Sequence, residues 1–175
     1  GHEIAQRLGH TLIEPVPSLF TFNVPSSPLL DLSGISVPSA LLTLEGTPFS
    51  QRGPLLLTHW GFSGPAALKL SAWAARALHA LSYRATLTIN WTQLPHAEAL
   101  FASLLEEKRT RPQGTLLPLL PHHLLARLCL PLEIDPAEKL QKLSHKALRA
   151  LAEKLTCDRY QIEGKTTYKQ EFVTA

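Results

Sequence analysis

"GPLLLTHWGFSGPAALKL", residues Gly53 to Leu70, decides how this chain is read. An apolar run ends in Thr58-His59-Trp60, and Gly61-Phe62-Ser63-Gly64-Pro65 then leads into an alanine-rich pattern with helical spacing. A strand hands over to a helix here, so the stretch is a catalytic elbow, an anion-binding loop, or a turn that the fold requires. An elbow needs glycines two residues either side of its serine. Gly64 follows Ser63 directly, which breaks that spacing on the C-terminal side. The phosphate-binding patterns G-x-x-x-x-G-K-[ST] and G-x-G-x-x-G occur nowhere in the sequence. A helix that starts after Gly64 still exposes N–H groups suited to an anion or an electron-rich ring, while Ser63 reads equally as its N-cap. His59 has two readings as well, a titratable ring in a cleft or a ring bonded to a neighbouring carbonyl.

Outward from this stretch the chain changes character twice. Upstream, Ile4, Ala5 and Leu8 read as the tail of a helix closed by Gly9. Six prolines between Pro15 and Pro48 then exclude long helices and leave short strands near 11–14, 19–24, 29–37 and 40–45. Gly46-Thr47-Pro48 and Gln51-Arg52-Gly53 are turn signals, and Leu55-Leu56-Leu57 reads as a buried strand. The helical pattern runs from about Gly64 to Leu81, and "YRATLTIN" (83–90) alternates as a strand.

Downstream, 95–108 is helical, a proline-rich linker follows, and a short helix covers 122–129. Asp135-Pro136 looks like the N-cap and first position of a longer helix bearing Leu140, Leu143, Leu148 and Leu151. Residues 160–162 and 166–173 return to strands, with Glu163-Gly164-Lys165 as their turn. The order predicts an α+β fold: early and late strands (1–94 and 156–175) complete one β-barrel-like part, and a small helical lobe (95–155) is inserted between them.

Composition narrows the function classes. At 45% hydrophobic residues the chain is globular, and no apolar run approaches the ~18 residues of a membrane span. The formal charge of +3 is small, and the densest basic cluster, Lys108-Arg109-Thr110-Arg111, follows Glu106-Glu107. That is short of the basic, aromatic-interleaved stripe expected of a dedicated nucleic-acid surface. Cys129 and Cys157 stand far apart without metal-ligand spacing, so two packed thiols and a reducing cytoplasm are expected. His122-His123 are adjacent, not four apart, so no metal site is expected.

"GPLLLTHWGFSGPAALKLS" (53–71) resembles the signature G-x-x-L-F-T-H-x-G-x-S-G-P-A-x-L of a bacterial flavoprotein family, the aminoacetone oxidase-like or BaiN-type NAD(P)/FAD-dependent oxidoreductases. "GHEIAQRLGHTLIEPVPSL" (1–19) and "YQIEGKTTYKQEFVTA" (160–175) resemble segments at the two ends of that family's middle domain. The resemblance implies a barrel with a helix-two-turn-helix-like lobe, inserted between the halves of an FAD-binding domain that lies outside this chain. It implies FAD in the intact protein, the flanking domain as partner, a small-molecule substrate, and a chain inactive alone. By resemblance Thr58 and His59 are the catalytic candidates, and Gly61, Ser63 and Gly64 face the flavin. The rival expectation is an interaction or nucleic-acid-binding module that uses the helical lobe.

Overall fold

Strand residues alternate between two environments, and that alternation builds a barrel. The computed structural model describes residues 1–166 and the backbone of 173–174. A short helix α1 (His2–Arg7) precedes strands β1 (Pro17–Ser18), β2 (Thr21–Asn23), β3 (Ser36–Leu44), β4 (Ser50–Thr58) and β5 (Gly61–Ser63). Helices α2 (Pro65–Trp73) and α3 (Ala75–Ala80) lead to β6 (Arg84–Asn90). Three helices follow, α4 (Ala97–Thr110), α5 (His122–Cys129) and α6 (His145–Thr156), and the chain returns through β7 (Asp158–Thr166) and β8 (Val173–Thr174).

Six strands close in the order β2-β5-β4-β3-β6-β7, each antiparallel to its neighbours, and β1 pairs separately with β8. Inward positions such as Leu42, Leu44, Leu55, Leu57, Leu87, Ile89 and Ile162 are fully buried, and their outward neighbours are not. Pro38 sits where the β3–β4 register is interrupted between Val37 and Ala40, the place in a ladder that tolerates a missing N–H. Helix α2 lies against β2, β3 and β4, burying Ala66, Ala67, Leu70 and Ser71. Ser71 fixes its position: its hydroxyl accepts from the Phe20 amide at 2.9 Å.

The helical lobe is the excursion between β6 and β7, two strands paired with each other. Helix α6 packs on α4 and α5 and reaches back to β6 and β7. Its apolar face, Leu148, Leu151, Ala152 and Leu155, belongs to the same buried cluster as the barrel interior, so barrel and lobe share one core. At the seam the Trp91 amide donates to the Leu155 carbonyl at 2.8 Å. Phe62, Trp91 and Tyr160 meet edge to face there, with Phe62 and Tyr160 4.8 Å apart.

The α+β class and the barrel with its helical lobe stand as expected. Several local expectations are corrected. Residues 29–37 are not one strand: Leu30–Leu32 forms a 3-10 turn and β3 begins at Ser36. No strand forms at 11–14, and Gln51-Arg52-Gly53 lies inside β4 instead of turning. The helix over 64–81 is interrupted at Ala74, though hydrogen bonds from Ala74 to Leu70 and from Leu78 to Ala74 carry the ladder across. Asp135 does accept from the Ala137 amide at 2.8 Å, but no helix follows. The Leu140 and Gln141 amides instead donate to the Gly114 and Pro112 carbonyls, which pins the segment to the linker, and α6 starts ten residues later on a Ser144 cap. Glu163-Gly164-Lys165 is not a turn. Residues 158–163 pair with β6 and 164–166 with β2, so β7 is the strand that closes the barrel. The remainder of the strand expected at 166–173 falls largely outside the described residues.

Candidate functional site

The Thr58–Gly64 segment forms the β4–β5 hairpin and the entry to α2. Thr58 holds the tip. Its hydroxyl oxygen accepts from the Gly61 amide at 3.2 Å and the Trp60 amide at 3.3 Å, and it donates to the Gly61 carbonyl at 3.1 Å. The Trp60 carbonyl in turn accepts from the Val24 amide at 2.8 Å, which ties the tip to the chain leaving β2. With the backbone so occupied, the His59 and Trp60 side chains are left facing water, Trp60 at 52% exposure.

The two glycines answer to the barrel. At Gly61, with φ 148°, a Cβ would stand 2.3 Å from the Phe22 carbonyl oxygen and 2.8 Å from the Val24 amide nitrogen. At Gly64, with φ 90°, it would stand 2.9 Å from the Leu56 amide nitrogen and 3.1 Å from the Pro54 carbonyl oxygen. Both sites therefore demand glycine through backbone conformation and close approach together. Ser63 is not the N-cap of α2; Gly64 holds that position without a side-chain bond. The Ser63 hydroxyl instead accepts from Thr21 at 3.0 Å, joining β5 to β2.

Of the five candidate residues, then, Thr58, Gly61, Ser63 and Gly64 are engaged in shaping the hairpin, and His59 is the one whose side chain is presented outward. A groove of about 270 Å³ runs beside it, lined by Asn23, Pro25, Leu30, His59, Trp60 and Glu163. Trp60, Asn23 and Glu163 could not be linked to His59 by local sequence spacing; the barrel brings them together. A larger recess of about 380 Å³ at the barrel–lobe seam, between Val37, Trp91, Leu94 and Pro118, has no charged side chain in its lining. The hairpin tip is the better chemical candidate.

The described residues offer no cradle for a dinucleotide cofactor. The α-carbon of Gly64, at the start of α2, faces strand β4, and no glycine-rich phosphate loop is present. What this face can do is approach a flat ligand held by another part of a protein, with Trp60 and His59 foremost. Among the described residues no group of three or more His, Cys, Asp or Glu side chains is placed to hold a metal ion. No helix among them is long and apolar enough to cross a membrane. Both cysteines are free, Cys129 buried and Cys157 exposed. Burial, with Asp135 nearby, pushes the Cys129 thiol up to about 11.

Several basic residues of the lobe are already engaged within the fold. Arg109 pairs with Glu106 and Arg111 with Glu107, both at 2.6 Å, while Lys108 donates to the Leu143 carbonyl at 2.5 Å. Arg127 pairs with Asp31 across to the barrel, which holds the Asp31 carboxyl below the usual carboxylate range. The most buried polar cluster is also structural: Asp158, 2% exposed, accepts from Trp91 Nε1 at 2.9 Å and from Tyr160 Oη and Lys154 Nζ at 2.5 Å each.

Comparison with known proteins agrees with this architecture. Over 181 aligned residues, 99% of this chain, it is 30% identical to the Ribosomal RNA dihydrouridine synthase of Escherichia coli strain K12. It is 42% identical over 73 residues, 41% of the chain, to the Ribosomal RNA dihydrouridine synthase of Haemophilus influenzae. These alignments span 42% and 18% of the two relatives, so the chain covers less than half the length of either. A family model described as "HI0933-like protein barrel and H2TH domain", that is, barrel and helix-two-turn-helix, matches residues 16–173. The chain belongs to the HI0933-like family, as its barrel and helix-two-turn-helix domain.

Proposed function

We propose that this chain is the substrate-side insert domain of a cytoplasmic FAD-dependent oxidoreductase, that it covers the flavin of a flanking domain, and that the whole protein reduces a uridine of ribosomal RNA. The observation that carries the reading is the alignment of almost the entire chain with a relative named for that reaction. Forming dihydrouridine saturates the C5–C6 bond of a uracil ring, which requires one hydride equivalent and one proton. The hydride is the chemistry a reduced flavin supplies; the protein supplies position and electrostatics.

Within this chain His59 is the side chain assigned to proton handling. An imidazole gives and takes a proton most readily near neutral pH, and this one sits exposed at the hairpin tip beside an indole and the groove. Thr58 is a positioning residue, since its hydroxyl is committed to the tip's own backbone. Gly61, Ser63 and Gly64 set how closely the hairpin can approach the flavin. The sequence favoured a small-molecule substrate over nucleic acid; the relatives' name supports the RNA alternative proposed here.

The test uses the full-length protein with its flanking parts. A flavin spectrum is expected in wild type and in His59→Ala alike. Dihydrouridine in ribosomal RNA, read by mass spectrometry, should appear with wild type and fall at least tenfold with the variant. A full-length protein without flavin overturns the oxidoreductase reading. A flavoprotein that reduces a small molecule and leaves ribosomal RNA unchanged overturns the RNA reading alone.

A further inference from the structure

The strand order of the barrel sets three side chains of different chemistry side by side. Strand β2 lies between β5 and β7, with Asn23 in register with Gly61 on one side and Gly164 on the other. Glu163 directly precedes Gly164, and His59 stands in the turn between β4 and β5. Glu163, Asn23 and His59 therefore follow one another across the strands, and all three line the groove of about 270 Å³ at the hairpin tip. Neighbouring strands lie about 4.8 Å apart, so consecutive atoms on the rim of one ring can be met by successive strands. The Asn23 Oδ1 accepts from the Thr166 hydroxyl, which leaves the two N–H groups of its amide as donors. The exposed Glu163 carboxylate only accepts, with about four lone-pair positions. Arg84 stands opposite it in register on β6, and a carboxylate beside one cation still has positions for a further donor.

Acceptor, donor and proton carrier, in that order, match three consecutive positions of a uracil ring: the N3–H, the C4 carbonyl oxygen and C5. Cytosine set in the same place meets both contacts with the wrong sign, because its N3 accepts and its C4 bears an amino donor. Hydride addition to the C5–C6 bond of uracil goes to C6, the end conjugated with the C4 carbonyl. The displaced electron pair moves to the C4 oxygen, and C5 then takes the proton. A donor on that oxygen is held more tightly as negative charge grows there. The Asn23 amide thus strengthens its contact during reduction, whereas Glu163 makes its full contact with the base at rest.

We propose that Asn23 and Glu163 select the target base, Glu163 accepting from the uracil N3–H and Asn23 donating to O4, with C5 left facing His59. The proposal rests on the reading that the whole protein reduces a uridine of ribosomal RNA. It is tested with the full-length protein and a ribosomal RNA fragment centred on the uridine that wild type reduces, made with uridine or N3-methyluridine at that position. Dihydrouridine is read by mass spectrometry and binding by fluorescence anisotropy. Glu163→Ala should lower kcat/KM for uridine about tenfold, mostly through KM. N3-methylation should lower wild type at least as much and Glu163→Ala far less, because the contact it blocks is already gone. Asn23→Asp keeps an acceptor for Thr166, removes the donors, and should lower kcat more than affinity. Flavin content should not change in either variant.

Equal losses from N3-methylation in wild type and Glu163→Ala overturn the base contact while the substrate reading stands. An Asn23→Asp variant with unchanged kcat overturns the donor to O4. A wild-type protein that leaves every ribosomal uridine unreduced overturns both the selection and the reading beneath it. Loss of flavin in Glu163→Ala makes this residue a contact with the flavin-binding part of the protein, and overturns its role at the base.

Discussion

Two side chains, Thr58 and Asp158, organise two regions of this molecule, and they do so at different ranges. At the hairpin tip the Thr58 hydroxyl gathers backbone groups no more than three residues away. At the barrel–lobe seam one Asp158 oxygen joins Tyr160 to Trp91, 67 residues distant, and the other holds Lys154. The tip is local and exposed, so its shape is set by its own backbone bonds while His59 faces outward. The seam is buried and long-range, so every polar group in it is consumed by the fold. Side chains available for function are found where local bonding already satisfies the backbone.

The sharpest way to break this contrast is at Gly61. A methyl group there would overlap the Phe22 carbonyl at a backbone angle that side chains rarely adopt. Gly61→Ala is expected to cost about 3 kcal/mol or more, read as a large drop in the urea midpoint or as failure to fold. At the seam, Asp158→Ala leaves a buried indole and phenol and a half-buried ammonium without their acceptor, and a loss of about 3 kcal/mol is expected. Asp158→Asn should recover part of that loss.

The same seam should respond to alkali. Burial, then the neighbouring Asp158 carboxylate, raises Tyr160 above its ordinary value of 10.0. The unfolded chain therefore loses its phenolic proton first, and stability should fall as pH rises above about 10. Tyr160→Phe should flatten that fall while lowering stability at neutral pH through the lost hydrogen bond. Unfolding midpoints measured between pH 8 and 11 would check both.

Smaller effects belong to the tip. Thr58→Ala should cost about 1–2 kcal/mol, and Thr58→Ser should restore most of it. His59→Ala should shift stability by no more than about 0.5 kcal/mol, since the ring is exposed. A large stability loss from His59→Ala would erase the distinction between the two regions.

This division also explains what was legible beforehand. Thr58, the glycines and Pro65 announce a strand-to-helix turn because their bonds are local. The alternation of 84–90 and the helices at 97–110 and 122–129 are legible for the same reason. Asp135 looked like a helix cap, and does cap a turn, yet amide bonds from Leu140 and Gln141 to a linker more than 25 residues upstream decided what came next. Glu163-Gly164-Lys165 looked like a turn because its partners, Arg84 at the start of β6 and Asn23 and Phe22 in β2, lie far away in sequence.

The closure of the barrel by β7 has a consequence for how the protein is made. Thr166 bonds Asn23 across 143 positions, and β2 finds one of its two neighbours only in that last barrel strand. On the ribosome, β2 to β6 must emerge and wait as an open, curled sheet while the lobe is synthesised. At roughly 5–20 residues per second that interval lasts several seconds, long compared with hairpin formation. The lobe is therefore a delay as well as a domain, and Phe22, Leu42 and Leu57 are the apolar side chains a nascent-chain chaperone would meet during it.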